Sequence, residues 1–137
     1  MGVDERHTFL QEDVPGQIEH FVHTLVRLED VLTSREVIVA AGNDNKNAQQ
    51  FVPASCKGVI VVSAINSEMK KASFSNFITD MEMGIAAPGQ DILSTVPGNK
   101  YAAYSGTSMA TPYVAGLLGV LKSLNPEMNT TEAYKIL

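Results

Sequence analysis

The amino-acid sequence predicts an α/β protein in which a parallel sheet carries helices on both faces. Short continuous apolar runs at 37–41, 59–64 and 83–87 are typical of buried parallel strands. A longer run from Ser108 to about Leu124 has the length of a helix and is apolar nearly all round. That pattern predicts a helix buried against the sheet.

The N-terminal segment, residues 1–35, has a different character from the rest of the chain. Residues 1–16 are polar and end in a Pro15-Gly16 turn signal. From Gln17 to Leu32, apolar residues recur mostly at spacings of three and four. This periodicity predicts an amphipathic helix.

Two histidines of that segment, His20 and His23, are three residues apart and would share one helix face, a spacing compatible with metal binding. No third ligand stands out nearby, although Glu12 and Glu19 are present. We therefore interpret both histidines as surface residues and predict no metal site here.

The first apolar run, 37–41, ends in Gly42-Asn43. The backbone must turn there, at the carboxyl edge of the predicted sheet, where the ligand sites of open α/β sheets gather. Asn43 has two interpretations. It is either a turn asparagine or a side-chain N–H donor to an oxyanion.

The remaining strands are short and punctuated by turn signals. The run 83–87 is closed by Pro88-Gly89, and a weakly alternating run, 92–96, ends at Pro97-Gly98. Tyr101 and Tyr104 then flank a hairpin-like connection into Ser105. Because each run is too short to be stable alone, we expect all of them to share one sheet.

Ser108 is predicted to be the first residue of the long helix. Its hydroxyl would lie near unpaired backbone N–H groups at the positive end of the helix dipole. Such a serine is either a helix cap or a nucleophile beside a site that stabilises negative charge. Pro112 falls in or near the first turn, where its missing N–H removes little.

A last helix is predicted to begin at Asn129. Glu132 stands three residues later, which resembles a capping box. Asn129-Thr130-Thr131 also matches the acceptor sequence for N-glycosylation. We favour the cap, because this acceptor sequence is relevant only in a secreted eukaryotic protein.

Composition excludes several classes of protein. The 137 residues suit one small domain, and a net charge of −5 without a basic stripe argues against a nucleic-acid surface. The single cysteine, Cys56, cannot form an internal disulfide. No run is long enough to span a membrane. The charged N-terminus lacks the apolar core of a signal peptide, so the compartment stays open.

The segment around Ser108 resembles the nucleophile motif of the subtilisin-like serine peptidases (subtilases), Gly-Thr-Ser-Met-Ala-x-Pro. The matching residues are Gly106, Thr107, Ser108, Met109, Ala110 and Pro112. The run 37–43 is similar to the family's strand that ends in the oxyanion-hole asparagine, and later blocks follow in family order. Residues 36–137 therefore look like the C-terminal half of a subtilisin-like catalytic domain, behind an N-terminal segment, 1–35, that is unlike the family.

The resemblance implies a serine endopeptidase acting on polypeptides, with Ser108 as nucleophile and Asn43 as the oxyanion-hole donor. It also implies a set of substrate-binding residues: Ala41, Gly42, Phe51, Gly106 and Thr107. No cofactor is required. Backbone carbonyls around Ala54, Cys56 and Val59 resemble a weak cation site, for Ca²⁺ or Na⁺, of some subtilases.

Two of the three residues of the family's catalytic triad, the Asp and the His, are not recognisable in this sequence. The Asp-Thr/Ser-Gly and His-Gly-Thr-His motifs are absent, and so is the substrate-binding Ser-Leu-Gly segment. None of the histidines (His7, His20 and His23) is followed by Gly-Thr. Three hypotheses follow. The half that carries Asp and His lies on another chain, through a partner or self-association, or in a missing segment; the chain is an inactive subtilase remnant that acts as a binding module; or it is a fragment that does not fold stably alone.

Overall fold

The computed structural model describes residues 36–137. The helix predicted over 17–32, the boundary between residues 35 and 36, and all three histidines therefore lie at or beyond the limit of the described residues.

A three-stranded parallel sheet forms the centre of the fold. Its strands are β1 (Val37–Ala40), β2 (Val59–Ile65) and β3 (Gly84–Pro88), in the order β1-β2-β3. All three match predicted strands to within one residue at either end. β2 is buried from Val59 to Ala64, because it is paired on both edges and covered on both faces.

The side chains of β2 divide between two apolar clusters, as the alternation of a strand requires. Ile60, Val62 and Ala64 belong to the larger cluster. Val59 and Val61 belong to a smaller one on the opposite face, together with Val39, Ala41, Ala48 and Ala54.

The long helix, α1 (Thr107–Leu124), packs on the face of the larger cluster through Ala110, Val114 and Leu118. The sequence predicts a buried helix because the segment is apolar nearly all round, but only one side of the helix is buried. Large apolar side chains at spacings of four, three and four residues lie on its other side, and each is at least half exposed: Tyr113, Leu117, Val120 and Leu124. We call this set the exposed stripe. The sheet can cover only one side of the helix, so the stripe remains at the surface.

The start of α1 also differs from the prediction. The helix begins at Thr107, one residue before Ser108, with Gly106 as its extended N-cap. Pro112 is then the sixth helical residue and lies in the second turn. Its missing N–H leaves the carbonyl of Ser108 without the usual partner four residues on.

A separate antiparallel hairpin precedes the helix. It pairs β4 (Ile92–Val96) with β5 (Lys100–Tyr104) and shares no ladder with the parallel sheet. The expectation of one shared sheet is therefore wrong. Only residues 97–99 connect the two strands, which is far too short for a parallel crossover. Positive φ at Gly98 (84°) and Asn99 (55°) turns the chain back on itself.

The last helix, α2 (Thr130–Ile136), begins as predicted. Asn129 Oδ1 accepts the N–H of Glu132 at 3.0 Å, and the N–H of Asn129 donates to Glu132 Oε2 at 3.1 Å. This reciprocal pair is a capping box, so the capping interpretation of Asn129 is confirmed. None of the helices within residues 36–137 is long and apolar enough to cross a membrane.

The capping box gives a stability prediction. Replacing the cap residue in Asn129→Ala should lower the free energy of unfolding by about 1 kcal/mol, because the N–H of Glu132 in the first turn loses its acceptor. Chemical denaturation followed by circular dichroism measures the change. Thr131→Ala, at an exposed position of the same helix, is the control and should change stability by less than about 0.5 kcal/mol. Equal effects of the two substitutions would contradict a stabilising cap.

Candidate active site

Two short segments meet beyond the carboxyl end of the parallel sheet. One follows β1 and contains Gly42 and Asn43; the other runs from Gly106 into α1. The N–H of Gly42 donates to Thr107 Oγ1 at 3.2 Å. The N–H of Gly106 donates to the carbonyl of Gly89, just after β3, at 2.7 Å. The fold therefore brings Asn43 and Ser108 together at the sheet edge where ligand sites of α/β proteins form.

Thr107 fixes the orientation of the Asn43 carboxamide. Asn43 Oδ1 accepts both the N–H of Thr107, at 2.9 Å, and its hydroxyl, at 3.0 Å. Thr107 is fully buried, so its two donors hold the oxygen from the protein side. Asn43 Nδ2 is the other end of the carboxamide, and it donates to no protein acceptor within residues 36–137.

Two N–H donors border one small space beside Ser108. A Cβ built on Gly106 would lie 3.6 Å from Asn43 Nδ2 and 3.8 Å from the backbone nitrogen of Ser108. Glycine keeps this space empty. The Ser108 N–H belongs to the first helical turn, so it has no acceptor within the helix and lies at the positive end of the dipole. An oxygen that gains negative charge in this space would meet both donors.

The Ser108 side chain is exposed, and its hydroxyl makes no hydrogen bond to protein within residues 36–137. It lines a cleft of about 340 Å³ together with mainly apolar neighbours: Ile92, Leu93, Ser94, Met109, Pro112 and Tyr113. No histidine occurs in residues 36–137. The described part of the chain thus holds a serine and two N–H donors without an imidazole base.

The other residues predicted to bind substrate occupy different places. Ala41 is fully buried behind Gly42. Phe51 is half-buried in a separate turn that follows a short 3₁₀ helix, Ala48–Gln50. None of the hydrogen bonds that join the two site segments involves Phe51.

The cation site near Ala54, Cys56 and Val59 stays a prediction. Three His, Cys, Asp or Glu side chains do not come together as a metal-binding group anywhere in the described residues. A site built from backbone carbonyls leaves no such side-chain signature.

Two residues that support the site were not assigned a role from the sequence. Gly89 lies in a crowded position, where an added Cβ would stand 2.6 Å from Ala64 Cβ and 2.8 Å from Gly106 O. Asn76 is fully buried and bonded to the loop that carries Asn43. In the sequence, Gly89 is part of a turn signal and Asn76 is part of a short run that contains small polar residues. Neither pattern indicates the contacts that these residues make in the fold.

The sequence model of the subtilase family matches residues 6–137. The chain belongs to the subtilase family. Both the family and the parallel α/β fold predicted from the sequence are thereby confirmed. The match begins at residue 6, so it includes most of the segment 1–35 that we had set apart as unlike the family.

Curated subtilase relatives share nearly half of their aligned residues with this chain. An intracellular serine protease of Paenibacillus polymyxa is 44% identical over 117 residues, which cover 82% of this chain and 33% of the relative. An extracellular protease of Xanthomonas campestris pv. campestris is 45% identical over 108 residues, which cover 74% of this chain and 18% of the relative. The chain therefore spans between about a fifth and a third of the length of these relatives.

Solved structures of subtilases have the same fold. The prenylagaramide maturation protease PagA superposes with a TM-score of 0.72 at 33% identity, covering 85% of this chain and 42% of that one. A cold-adapted subtilisin-like serine proteinase superposes with a TM-score of 0.66 at 34% identity, and the match covers 72% of this chain and 35% of that one. The match to part of each structure agrees with a partial subtilase fold.

Proposed function

We propose that this chain supplies the nucleophile and the oxyanion hole of a serine endopeptidase that cleaves polypeptides. The supporting observation is the convergence of Asn43 Nδ2 and the Ser108 N–H on one space beside the exposed Ser108 hydroxyl. The relative from Paenibacillus polymyxa, an intracellular serine protease, agrees with this chemistry. Gly42, Gly106 and Phe51 are proposed to border the bound substrate.

The reaction begins with attack of Ser108 Oγ on the carbonyl carbon of the substrate peptide bond. As the new C–O bond forms, the carbonyl electron pair moves to oxygen, and the oxyanion accepts the N–H groups of Asn43 and Ser108. The serine proton passes to a base. Collapse of the tetrahedral intermediate breaks the C–N bond, and the protonated base gives its proton to the leaving amine. Water then hydrolyses the acyl-enzyme by the same steps.

The base and its orienting carboxylate are proposed to come from a polypeptide segment outside this sequence. A serine hydroxyl is a weak nucleophile until a base accepts its proton, and none of this chain's histidines lies in a His-Gly-Thr-His motif. The exposed stripe adjoins the apolar cleft beside Ser108, because Tyr113 belongs to both. Contiguous apolar surface of this kind is typical of an interface, and its covering would also exclude water from Ser108.

Rescue of Ser108 reactivity by an added base tests this proposal. We expect the purified chain alone to react with a fluorophosphonate probe at no more than a background rate, and added imidazole to accelerate labelling at Ser108 by at least about tenfold, since a positioned base contributes about 10²–10⁴-fold in enzymes. The serine oxygen displaces fluoride from phosphorus while its proton passes to imidazole. Intact-mass spectrometry and peptide mapping measure the extent and site of labelling.

Ser108→Ala is the matched control and should show no imidazole-dependent label. Rapid labelling without imidazole would mean that this chain already holds a working base, and would overturn the proposal that the base comes from elsewhere. Absence of imidazole-dependent labelling in a chain that circular dichroism shows to be folded would overturn the assignment of Ser108 as a nucleophile poised beside an oxyanion hole.

A further inference from the structure

The loop that carries Asn43, residues 41–46, lies against a neighbouring segment, residues 74–77. Asn43 is in the middle of this loop, and its backbone takes part in none of the hydrogen bonds that join the two segments within the described residues. The position of Asn43 is therefore set by how the residues on either side of it are held. Three backbone hydrogen bonds hold them: Asn76 N–H to Gly42 O at 2.9 Å, Asn45 N–H to Phe74 O at 2.8 Å, and Phe77 N–H to Lys46 O at 2.8 Å.

One side chain, Asn76, adds three more bonds to this loop. Its Oδ1 accepts the N–H of Asp44 at 2.9 Å and the N–H of Lys46 at 3.0 Å. Its Nδ2 donates to the carbonyl of Ala41 at 2.8 Å. Asn76 is 0% exposed and its bond to Ala41 is buried, so loss of this side chain would leave the Ala41 carbonyl without a buried partner. The two bonds to the N–H groups of Asp44 and Lys46 are part-buried.

The segment 74–77 is itself fixed to the sheet. Ser75, also fully buried, accepts the N–H of Ala64 in β2 at 2.9 Å and donates to the carbonyl of Asn76 at 3.2 Å. A continuous set of buried and part-buried hydrogen bonds therefore runs from the central strand through Ser75 and Asn76 to the backbone before and after Asn43.

We propose that Asn76 is a positioning residue for the oxyanion hole. Its carboxamide spans the loop from Ala41 to Lys46 and fixes the place from which Asn43 reaches the space beside Ser108. Thr107 sets the rotation of the Asn43 carboxamide, whereas Asn76 sets the position of its backbone. The inference rests on the proposed oxyanion role of Asn43, and its test separates the two.

The first measurement does not depend on reactivity. In chain labelled with ¹⁵N-asparagine, the Asn43 side-chain NH₂ signals are identified by their loss in Asn43→Ala. We expect Asn76→Ala to shift or broaden these signals. In uniformly ¹⁵N-labelled chain, it should also accelerate hydrogen exchange at the N–H groups of Asp44 and Lys46. Unchanged Asn43 signals in folded Asn76→Ala would overturn the proposal.

Asn66 provides a matched control. Its Oδ1 also accepts two backbone N–H groups, of Glu68 and Lys70, each at 3.0 Å, but it has no bond to the 41–46 loop. Asn66→Ala should therefore accelerate exchange in its own loop and leave the Asn43 signals in place. If Asn66→Ala moves those signals as much as Asn76→Ala does, the effect is a general loss of stability and the proposal is wrong.

The second measurement is a double-mutant cycle on the rate of imidazole-rescued labelling of Ser108. We expect Asn76→Ala to slow labelling by about 10- to 100-fold per folded molecule, the scale of a misplacement near 1 Å. Asn43→Ala combined with Asn76→Ala should be no slower than Asn43→Ala alone, because Asn76 acts through Asn43. Additive effects would overturn the positioning role.

The two readouts distinguish the failures. Displaced Asn43 signals in Asn76→Ala, in a chain whose wild type shows no rescued labelling, would support the positioning of the loop and overturn the proposed function. Rescued labelling in the wild type, together with unchanged Asn43 signals in Asn76→Ala, would support the proposed function and overturn the positioning role of Asn76.

Discussion

Gly89→Ala is expected to lower the free energy of unfolding by about 1–3 kcal/mol and to slow imidazole-rescued labelling of Ser108. The new Cβ would stand 2.6 Å from Ala64 Cβ, 2.8 Å from Gly106 O and 3.1 Å from Ala110 Cβ. None of these atoms is the end of a flexible side chain, so the backbone must move, which is the cost of overpacking a well-filled core. Since Gly89 O also accepts the N–H of Gly106 at 2.7 Å, the movement displaces the start of α1.

Gly119→Ala is the control for that substitution. Gly119 lies inside α1, and an added Cβ there meets no atom within 4 Å. The same chemical change should raise the free energy of unfolding by about 0.5–1 kcal/mol, because alanine loses less backbone entropy in a helix. Chemical denaturation measures the free energy of unfolding of both variants. A neutral or stabilising Gly89→Ala would contradict the close packing between β2, β3 and α1.

Gly42→Ala should be comparably damaging, for two reasons that can be separated. Gly42 has a φ of 99°, a conformation in which a side chain is strained by about 1–3 kcal/mol. Its added Cβ would also lie 2.5 Å from Asn76 Nδ2, so the bond from that nitrogen to the Ala41 carbonyl cannot persist unchanged. Loss of a buried hydrogen bond costs about a further 1–3 kcal/mol. We expect a lower free energy of unfolding and displaced Asn43 side-chain NMR signals.

Gly98→Ala separates the strain from the contact. Gly98 has a similar φ, 84°, but it lies in the exposed hairpin turn, where an added Cβ meets nothing within 4 Å. This variant should show the cost of backbone strain alone and leave the Asn43 signals in place. If denaturation gives Gly42→Ala and Gly98→Ala the same loss of stability, with Asn43 undisturbed in both, the contact between Gly42 and Asn76 has no energetic role.

Local patterns were sufficient for much of the fold. Apolar runs of strand length predicted β1, β2 and β3, because a strand that is buried on both faces needs apolar residues at successive positions. Asn129 and Glu132 predicted the start of α2, because a capping box is complete within four consecutive residues. The motif around Ser108 and the asparagine after β1 predicted the family, which the match over residues 6–137 confirms.

Other features required contacts between residues far apart in the chain. The two bonds from Thr107 to Asn43 Oδ1 join residues 64 positions apart, and only this packing decides which end of the Asn43 carboxamide faces Ser108. The hairpin of β4 and β5 looked like part of the sheet because periodicity indicates a strand but not its partner. The exposed stripe of α1 looked buried for a similar reason, since apolar composition does not show whether a surface has a partner.

By itself the sequence determined the family and the strands and predicted which residues bear the chemistry, because these depend on motifs and on local periodicity. The tertiary structure alone decided how those residues are aimed and supported. The roles of Thr107, Gly89 and Asn76 depend on distances of a few ångströms between segments that only the assembled sheet and helix bring together.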